Sequence, residues 1–160
     1  MTTDPTRVPG RWDRLFQLLK EMDADIEALY TRRGVTGMRS RFVRPLIRLS
    51  HEGPMTISAL AQSLGTTHSA TSQTVAAMRR AGFVTSAPGT DGRTQVVSLT
   101  PEAGALVPLL EAEWRATEAV VAALDDELDG AVTALSARLG EALARRSMSE
   151  RLDDELGADA

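Results

Sequence analysis

A chain of 160 residues, 42% hydrophobic with only six aromatics, is long enough for one compact core but must fill it mostly with Leu, Ala and Val, which favours helices packed on helices. The absence of cysteine excludes disulfides, thiolate nucleophiles and Cys-based zinc sites. The net charge of −4 at first argues against nucleic acid, but residues 31–100 hold nine arginines against two acids (+7) and residues 101–160 five arginines against fourteen acids (−9), so the average conceals a basic stretch suited to phosphates, unless that run is merely a solvated face.

The first ten residues are polar and lack the pattern of a secretory signal, and no apolar run reaches membrane-spanning length, so a cytoplasmic protein without membrane contact is expected. Trp12, Leu15, Leu19, Met22, Ile26 and Leu29 recur at steps of three and four, which predicts a helix ending near Gly34. So narrow a seam needs a partner surface. A second helix is predicted over about Arg39 to Ser50, with Phe42, Leu46, Ile47 and Leu49 apolar. Pro45 interrupts it, implying either a start near Val43 or a bend. His51-Glu52-Gly53-Pro54 is then a turn.

Thr56 can cap a helix that places Ile57, Leu60, Ala61 and Leu64 on one face and stops at Gly65. Only Thr66 separates this stop from a second capping residue, Thr67, which opens a helix to about Ala81 with Thr71, Val75 and Met78 inward. Two short helices on a tight glycine-containing turn make a helix-turn-helix. Beyond Gly82 the period becomes two: Phe83 to Ala87 and Thr94 to Leu99 are predicted strands around the turn formers Pro88 to Gly92. A hairpin directly behind a helix-turn-helix is a wing.

Thr100-Pro101-Glu102 combines a capping hydroxyl, proline at the first helical position and an acid at the positive dipole end. The helix it opens is predicted to run to about Leu124. Asp125-Asp126-Glu127 should open a last helix bearing Leu128, Val132, Leu135, Leu139 and Leu143, and the acidic tail from Ser149 should fray.

With Thr71, Val75 and Met78 inward, the second helix of the motif turns His68, Ser69, Ser72 and Gln73 outward, beside its cap Thr67. The leading residues of such a helix are those that reach base edges, where Gln pairs bidentately with adenine and Ser serves either polarity. The bland alternative is a polar helix surface. Arg93 sits just past the hairpin turn, where a long cation can extend into a narrow minor groove. Asp91 can hold it extended and Thr94 starts the returning strand; otherwise the two charges form a surface ion pair. Among the cations before the motif, Arg39 and Arg41 are candidate phosphate contacts, as is Arg79 at the end of the second helix, where a cation also suits the negative dipole end. Trp12, Phe16 and His51 are candidates for an effector crevice, the aromatics being alternatively core. Two histidines without cysteines make no metal site, and no cofactor motif is present. Gly-rich phosphate loops, a nucleophile elbow and a His-Glu-x-x-His run are all absent, so no enzymatic activity is expected.

Asp91-Gly92-Arg93-Thr94-Gln95-Val96-Val97-Ser98-Leu99-Thr100 resembles the wing of the MarR family, with its Asp, any residue, Arg, then a strand ending in Leu-Thr. Thr56 to Ala61 resembles that family's first motif helix, and Thr67 to Val84 its recognition helix and exit. The similarity spans about residues 12–146. Gly104 stands about one position late, and His68 and Gln73 occupy positions where the family often carries arginine, so base contacts differ. The resemblance implies a mostly α fold with a small β-hairpin wing. It divides the chain into an N-terminal dimerisation helix in residues 1–36, a winged helix-turn-helix lobe in 37–104, and C-terminal dimerisation helices with an acidic tail in 105–160. It further implies a homodimer that binds a pseudo-palindromic operator in double-stranded DNA, recognition helices in successive major grooves and wings in minor grooves. Repression, with release by a small aromatic or anionic effector, is the mode of action it implies. A non-DNA-binding helical dimer is the alternative that the seam and the acidic C-terminal part would also suit.

Overall fold

In the computed structural model, which describes residues 4–89 and 94–158, a short 3₁₀ turn at Pro5–Arg7 precedes ten elements. They are α1 (Asp13–Arg32), α2 (Ser40–Glu52), β1 (Met55–Thr56), α3 (Ile57–Leu64), α4 (His68–Arg80), β2 (Val84–Pro88), β3 (Gln95–Leu99), α5 (Pro101–Glu127), α6 (Ala131–Arg145) and α7 (Met148–Ala158). The chain divides into two units, Met1–Glu111 and Ala112–Ala160, so that α5 contributes to both.

In the first unit, caps set the helix-turn-helix. The Thr56 hydroxyl accepts from the Ala59 amide at 3.1 Å, and the Thr67 hydroxyl from the Ala70 amide at 3.2 Å, each satisfying a donor the helix start leaves unpaired. Gly65 takes the left-handed conformation (φ 65°) that ends α3. Its amide donates to the Gln62 carbonyl at 3.1 Å and the Thr66 amide to that of Ala61 at 2.9 Å, the paired bonds of a Schellman stop. Thr71 is buried at the base of α4, and its hydroxyl meets that of Thr66 at 2.8 Å, tying the turn to the helix that follows.

The faces expected to point inward do so: Leu60, Ala61 and Leu64 on α3, and Thr71, Val75 and Met78 on α4, are buried. Leu60, Leu64, Val75 and Met78 share a core with Tyr30 of α1, Phe42 and Leu46 of α2, and Ala103 and Leu110 of α5. Phe42 meets Phe83 edge-on, with ring centroids 6.1 Å apart. Pro45 does not delay α2, which begins at Ser40 and runs through it. The proline is buried, and the hydrogen bond it cannot donate is lost near the start of the helix, with seven further residues to carry the helix on. His51 and Glu52 belong to α2 rather than to a turn; Gly53 (φ 82°) ends the helix.

The wing is larger than a hairpin. β2 and β3 pair antiparallel from Val84 with Leu99 to Pro88 with Gln95, and β1 adds a third strand on the other edge of β3, Met55 facing Val97 and Thr56 facing Val96. A two-residue strand has no period to detect, so its place is decided by β3. Thr100 fastens the sheet to α5: its hydroxyl donates to the Gly82 carbonyl at 3.0 Å and accepts from the Ala103 amide at 3.2 Å.

The second unit departs from expectation twice. Asp125, Asp126 and Glu127 do not open a helix but end α5; the chain turns through Asp129 (φ 53°) and Gly130 (φ 73°) before α6. The capping role survives through space, because the Asp125 carboxylate accepts from the Val132 amide at 2.8 Å and from the hydroxyl of Thr133. The tail does not fray at Ser149 but forms α7. The signal was present in Ser147-Met148-Ser149-Glu150, a capping box: the Glu150 amide donates to the Ser147 hydroxyl at 3.2 Å, and the Ser147 amide to the Glu150 carboxylate at 2.7 Å. Arg151 reinforces it by donating to the Ala142 and Arg146 carbonyls at the end of α6, at 2.9 and 3.1 Å.

These caps titrate. The hydroxyl bond from Thr133 holds the Asp125 carboxyl below its ordinary pKa, and the hydroxyl bond from Ser147 does the same for Glu150. A carboxyl more acidic in the folded state stabilises fully above its unfolded pKa and loses that contribution as pH falls through the folded value. Amide exchange at Val132, Thr133 and Ser147 is therefore expected to be slow at neutral pH and, after correction for intrinsic rates, less protected in acid; protection that stays the same in Asp125→Asn and Glu150→Gln at neutral pH would remove these carboxylates as caps.

Candidate nucleic-acid interface

Between Gly53 and Gly89 the sequence contains no carboxylate, so a polyanion approaching α3, α4 and β2 meets no repelling side chain there. The outward side of α4 follows from what it buries. With Thr71, Val75 and Met78 inward, Thr67, His68, Ser69 and Gln73 are exposed and Ser72 is half-buried. They gather on the solvent side of the helix start as neutral donors and acceptors, while both cations of α4, Arg79 and Arg80, lie in its last turn and are exposed. Such a face can pair with base edges at its leading end and with phosphates at its trailing end.

The arginines of α2 and its cap are placed differently from one another. Arg39 is 3.4 Å from Glu27 of α1, and Arg48 is 2.9 Å from Glu52, both in exposed ion pairs. Exposed pairs of this kind contribute only ~0–1 kcal/mol, so a phosphate can exchange for the carboxylate. Arg44 reaches the Leu64 carbonyl at the end of α3 at 3.5 Å. Arg41 is exposed, its guanidinium 5.6 Å from the centre of the Phe42 ring. The pairing of Arg39 with Glu27 has no local signal, since the two residues are twelve apart in sequence and meet through the packing of α1 on α2.

On the wing, Thr94 is exposed just before β3, and its carbonyl accepts from the Gly89 amide at 2.8 Å. Asp91 and Arg93 lie outside the described residues. Of the three effector candidates, Trp12 and Phe16 lie one turn apart at the start of α1, and His51 lies in α2. Trp12 and Phe16 stand exposed on or beside the α1 seam, 45% and 64% accessible, which removes the alternative that they are core of this chain. His51 lies at the end of α2, its Nε2 2.6 Å from a carboxylate oxygen of Glu111 on α5.

A cleft that sequence reasoning missed lies between the start of α2, the end of α3 and the first half of α4. Its floor is the buried side of the helix-turn-helix, including Leu60, Leu64 and Met78, and Arg41, Arg44 and Thr66 stand around it. No spacing in the sequence announces it, because it exists only where three helices meet. Among the described residues no group of His, Asp or Glu is arranged to hold a metal ion, and no helix is long and apolar enough to cross a membrane.

The comparisons with known proteins agree with this architecture. The MarR family profile matches residues 43–94, from within α2 to the start of the returning wing strand. No curated protein sequence matches the chain. Among solved structures, MepR of S. aureus, determined as a DNA complex, is 16% identical with a TM-score of 0.61, covering 83% of this chain and 99% of its own. A MarR protein from Peptoclostridium difficile is 16% identical with a TM-score of 0.57, covering 93% and 97%. The M. tuberculosis transcriptional regulator MOSR, also solved with DNA, is 19% identical with a TM-score of 0.55, covering 81% and 98%. Identities this low bear on the fold alone, which is theirs: a helix-turn-helix and three-stranded wing between N- and C-terminal helices. The helix-turn-helix and the first wing strand thus match the MarR family model, and the whole fold is that of MarR-type winged helix-turn-helix proteins.

Proposed function

We propose that this protein is a homodimeric, sequence-specific repressor of the bacterial cytoplasm that binds a pseudo-palindromic operator in double-stranded DNA and is released by a small effector. The observation that carries the reading is the open leading face of α4, on which Thr67, His68, Ser69 and Gln73 are exposed and uncharged neighbours surround them. A helix packed for structure alone has no need to leave that face bare while a capped turn and a wing flank it. In this reading Gln73 pairs with adenine, Ser69 and Ser72 adapt to either polarity, and His68 meets a base edge or a phosphate. Arg39, Arg41 and Arg79 hold phosphates and set register, and Arg93, steadied by Asp91 beside Thr94, enters the minor groove. The DNA in the MepR and MOSR complexes supports the same use of this fold.

Dimerisation rests on apolar surface that one chain leaves open. Leu15, Leu18, Leu19 and Met22 of α1 are exposed, and so are Val132, Leu135, Leu139 and Leu143 of α6. Stripes of this kind on a single chain mark an interface, and a second copy presents the same stripes for an isologous contact.

The protein titrated onto its own upstream DNA and onto a scrambled duplex at about 0.15 M salt is expected to prefer the former by a factor of about a thousand or more. Equal, negligible binding to both would remove the regulator and leave the helical-dimer alternative.

A further inference from the structure

We propose that Glu52 masks Arg48 from DNA phosphates and so limits the affinity of the protein for nucleic acid of any sequence. Between Glu27 and Asp91 the chain carries eight arginines and a single carboxylate, Glu52. It ends α2 and is held from two sides. The Arg48 guanidinium, one turn earlier on the same helix, donates to its Oε1 at 2.9 Å, and the Ser63 hydroxyl of α3 lies 3.4 Å from each of its carboxylate oxygens. Ser63 stands four residues before Thr67, the cap that opens the helix proposed to meet the bases. Four residues of chain span at most about 14 Å, and charges in 0.1 M salt are felt over about 10 Å. The carboxylate therefore acts on phosphates that approach this turn.

Two kinds of ion pair await a phosphate in the basic stretch. Arg39 and Glu27 meet at 3.4 Å between the cap of α2 and α1, and a phosphate that takes this guanidinium releases the carboxylate to water. At Arg48 the displaced carboxylate stays beside the phosphate, because Ser63 keeps its hold on it, and two anions then share one cation. The exchange that an exposed pair allows is opposed at this position. Phosphate contacts supply essentially all of non-specific DNA binding, so the mask lowers it while the neutral leading face of α4 is untouched. The proposal rests on the DNA-binding reading above.

Binding of the full-length protein to a scrambled duplex is measured across a salt series. Glu52→Gln keeps an acceptor for Ser63 and removes only the charge. It is expected to bind about fivefold more tightly per half-site at 0.15 M salt, with a log–log slope steeper by about 0.9 per half-site. Glu141→Gln changes the net charge equally, in an exposed pair with Arg145 on α6, and should bind as the parent does. Arg48→Ala should leave the slope of the parent unchanged, and added to Glu52→Gln it should restore that slope. A parent slope that flattens by about 0.9 per half-site on Arg48→Ala would place the arginine on phosphate already and overturn the mask; this arm decides alone if Glu52→Gln fails to fold. Binding by Glu52→Gln that equals that of Glu141→Gln would also overturn it, and weaker binding than the parent would make Glu52 a brace between α2 and α3 instead. Retention on heparin, a polyanion without bases, separates the two readings. Later elution of Glu52→Gln than of Glu141→Gln, from a protein that binds no DNA, would keep the mask and remove the regulator; equal elution would overturn the mask.

Discussion

Replacing Leu135 and Leu139 together by glutamate is expected to give a monomer at micromolar concentration and to weaken operator binding by about a hundredfold or more. Both leucines are exposed in the single chain, at 45% and 40%, and they lie on one side of α6 with Val132 and Leu143. If this side is covered by a second copy, each substitution removes an apolar burial of about 1.5–3 kcal/mol. It also demands that a carboxylate leave water, at several kcal/mol per ion. The helix itself should survive, because glutamate is a good helix former and neither position packs inside the described chain. Operator affinity falls because two half-sites then bind independently, and the linkage between them contributes about 10²–10⁴. Light scattering and a DNA titration on the same sample separate the two effects. A double variant that remains dimeric would show that α6 is not the covered face.

Arg93→Ala should leave folding and dimerisation intact while lowering operator affinity by about thirtyfold or more. A well-placed base-edge contact is worth about 1–3 kcal/mol, and a dimer loses two such arginines. Arg93 immediately precedes Thr94, whose carbonyl closes the described part of the wing on the Gly89 amide. The loss should be greatest on operators with A·T-rich flanks, where a narrow groove concentrates negative potential. Asp91→Ala should cost less, since it frees the arginine without removing it. Affinity that does not change on Arg93→Ala across a salt series would mean that the wing tip is not a DNA element.

Legibility in the sequence followed how local the determining physics was. The helix-turn-helix could be placed almost residue by residue, because Thr56 and Thr67 accept from amides three positions on and the Gly65 amide donates to a carbonyl three positions back, as all three do in the structure. The capping box Ser147 to Glu150 is equally local, and it outweighs the acidic composition of the tail, which is the weaker signal. Asp125 was misplaced for a related reason. An acid run signals a helix that follows at once, whereas Asp125 caps α6 from across a turn, seven residues away.

What lay beyond reach depended on partners distant in sequence. β1 is a strand only because β3 offers it an edge. Arg39 faces Glu27, and His51 faces Glu111, sixty residues on, through helix packing that no period encodes. The aromatics Trp12 and Phe16 were open to two readings, core or crevice, and exposure in the single chain removes the first.

By itself the sequence determined where the two helices of the motif start and stop, which of their faces is apolar, and that the stretch around them carries basic charge, because caps, periodicity and composition act over a few residues. Only the tertiary structure decided the third strand, the pairing of the arginines and the cleft behind the recognition helix. Those arise where segments far apart in the chain meet, and a contact between distant residues is fixed by how whole elements pack rather than by the spacing within any one of them.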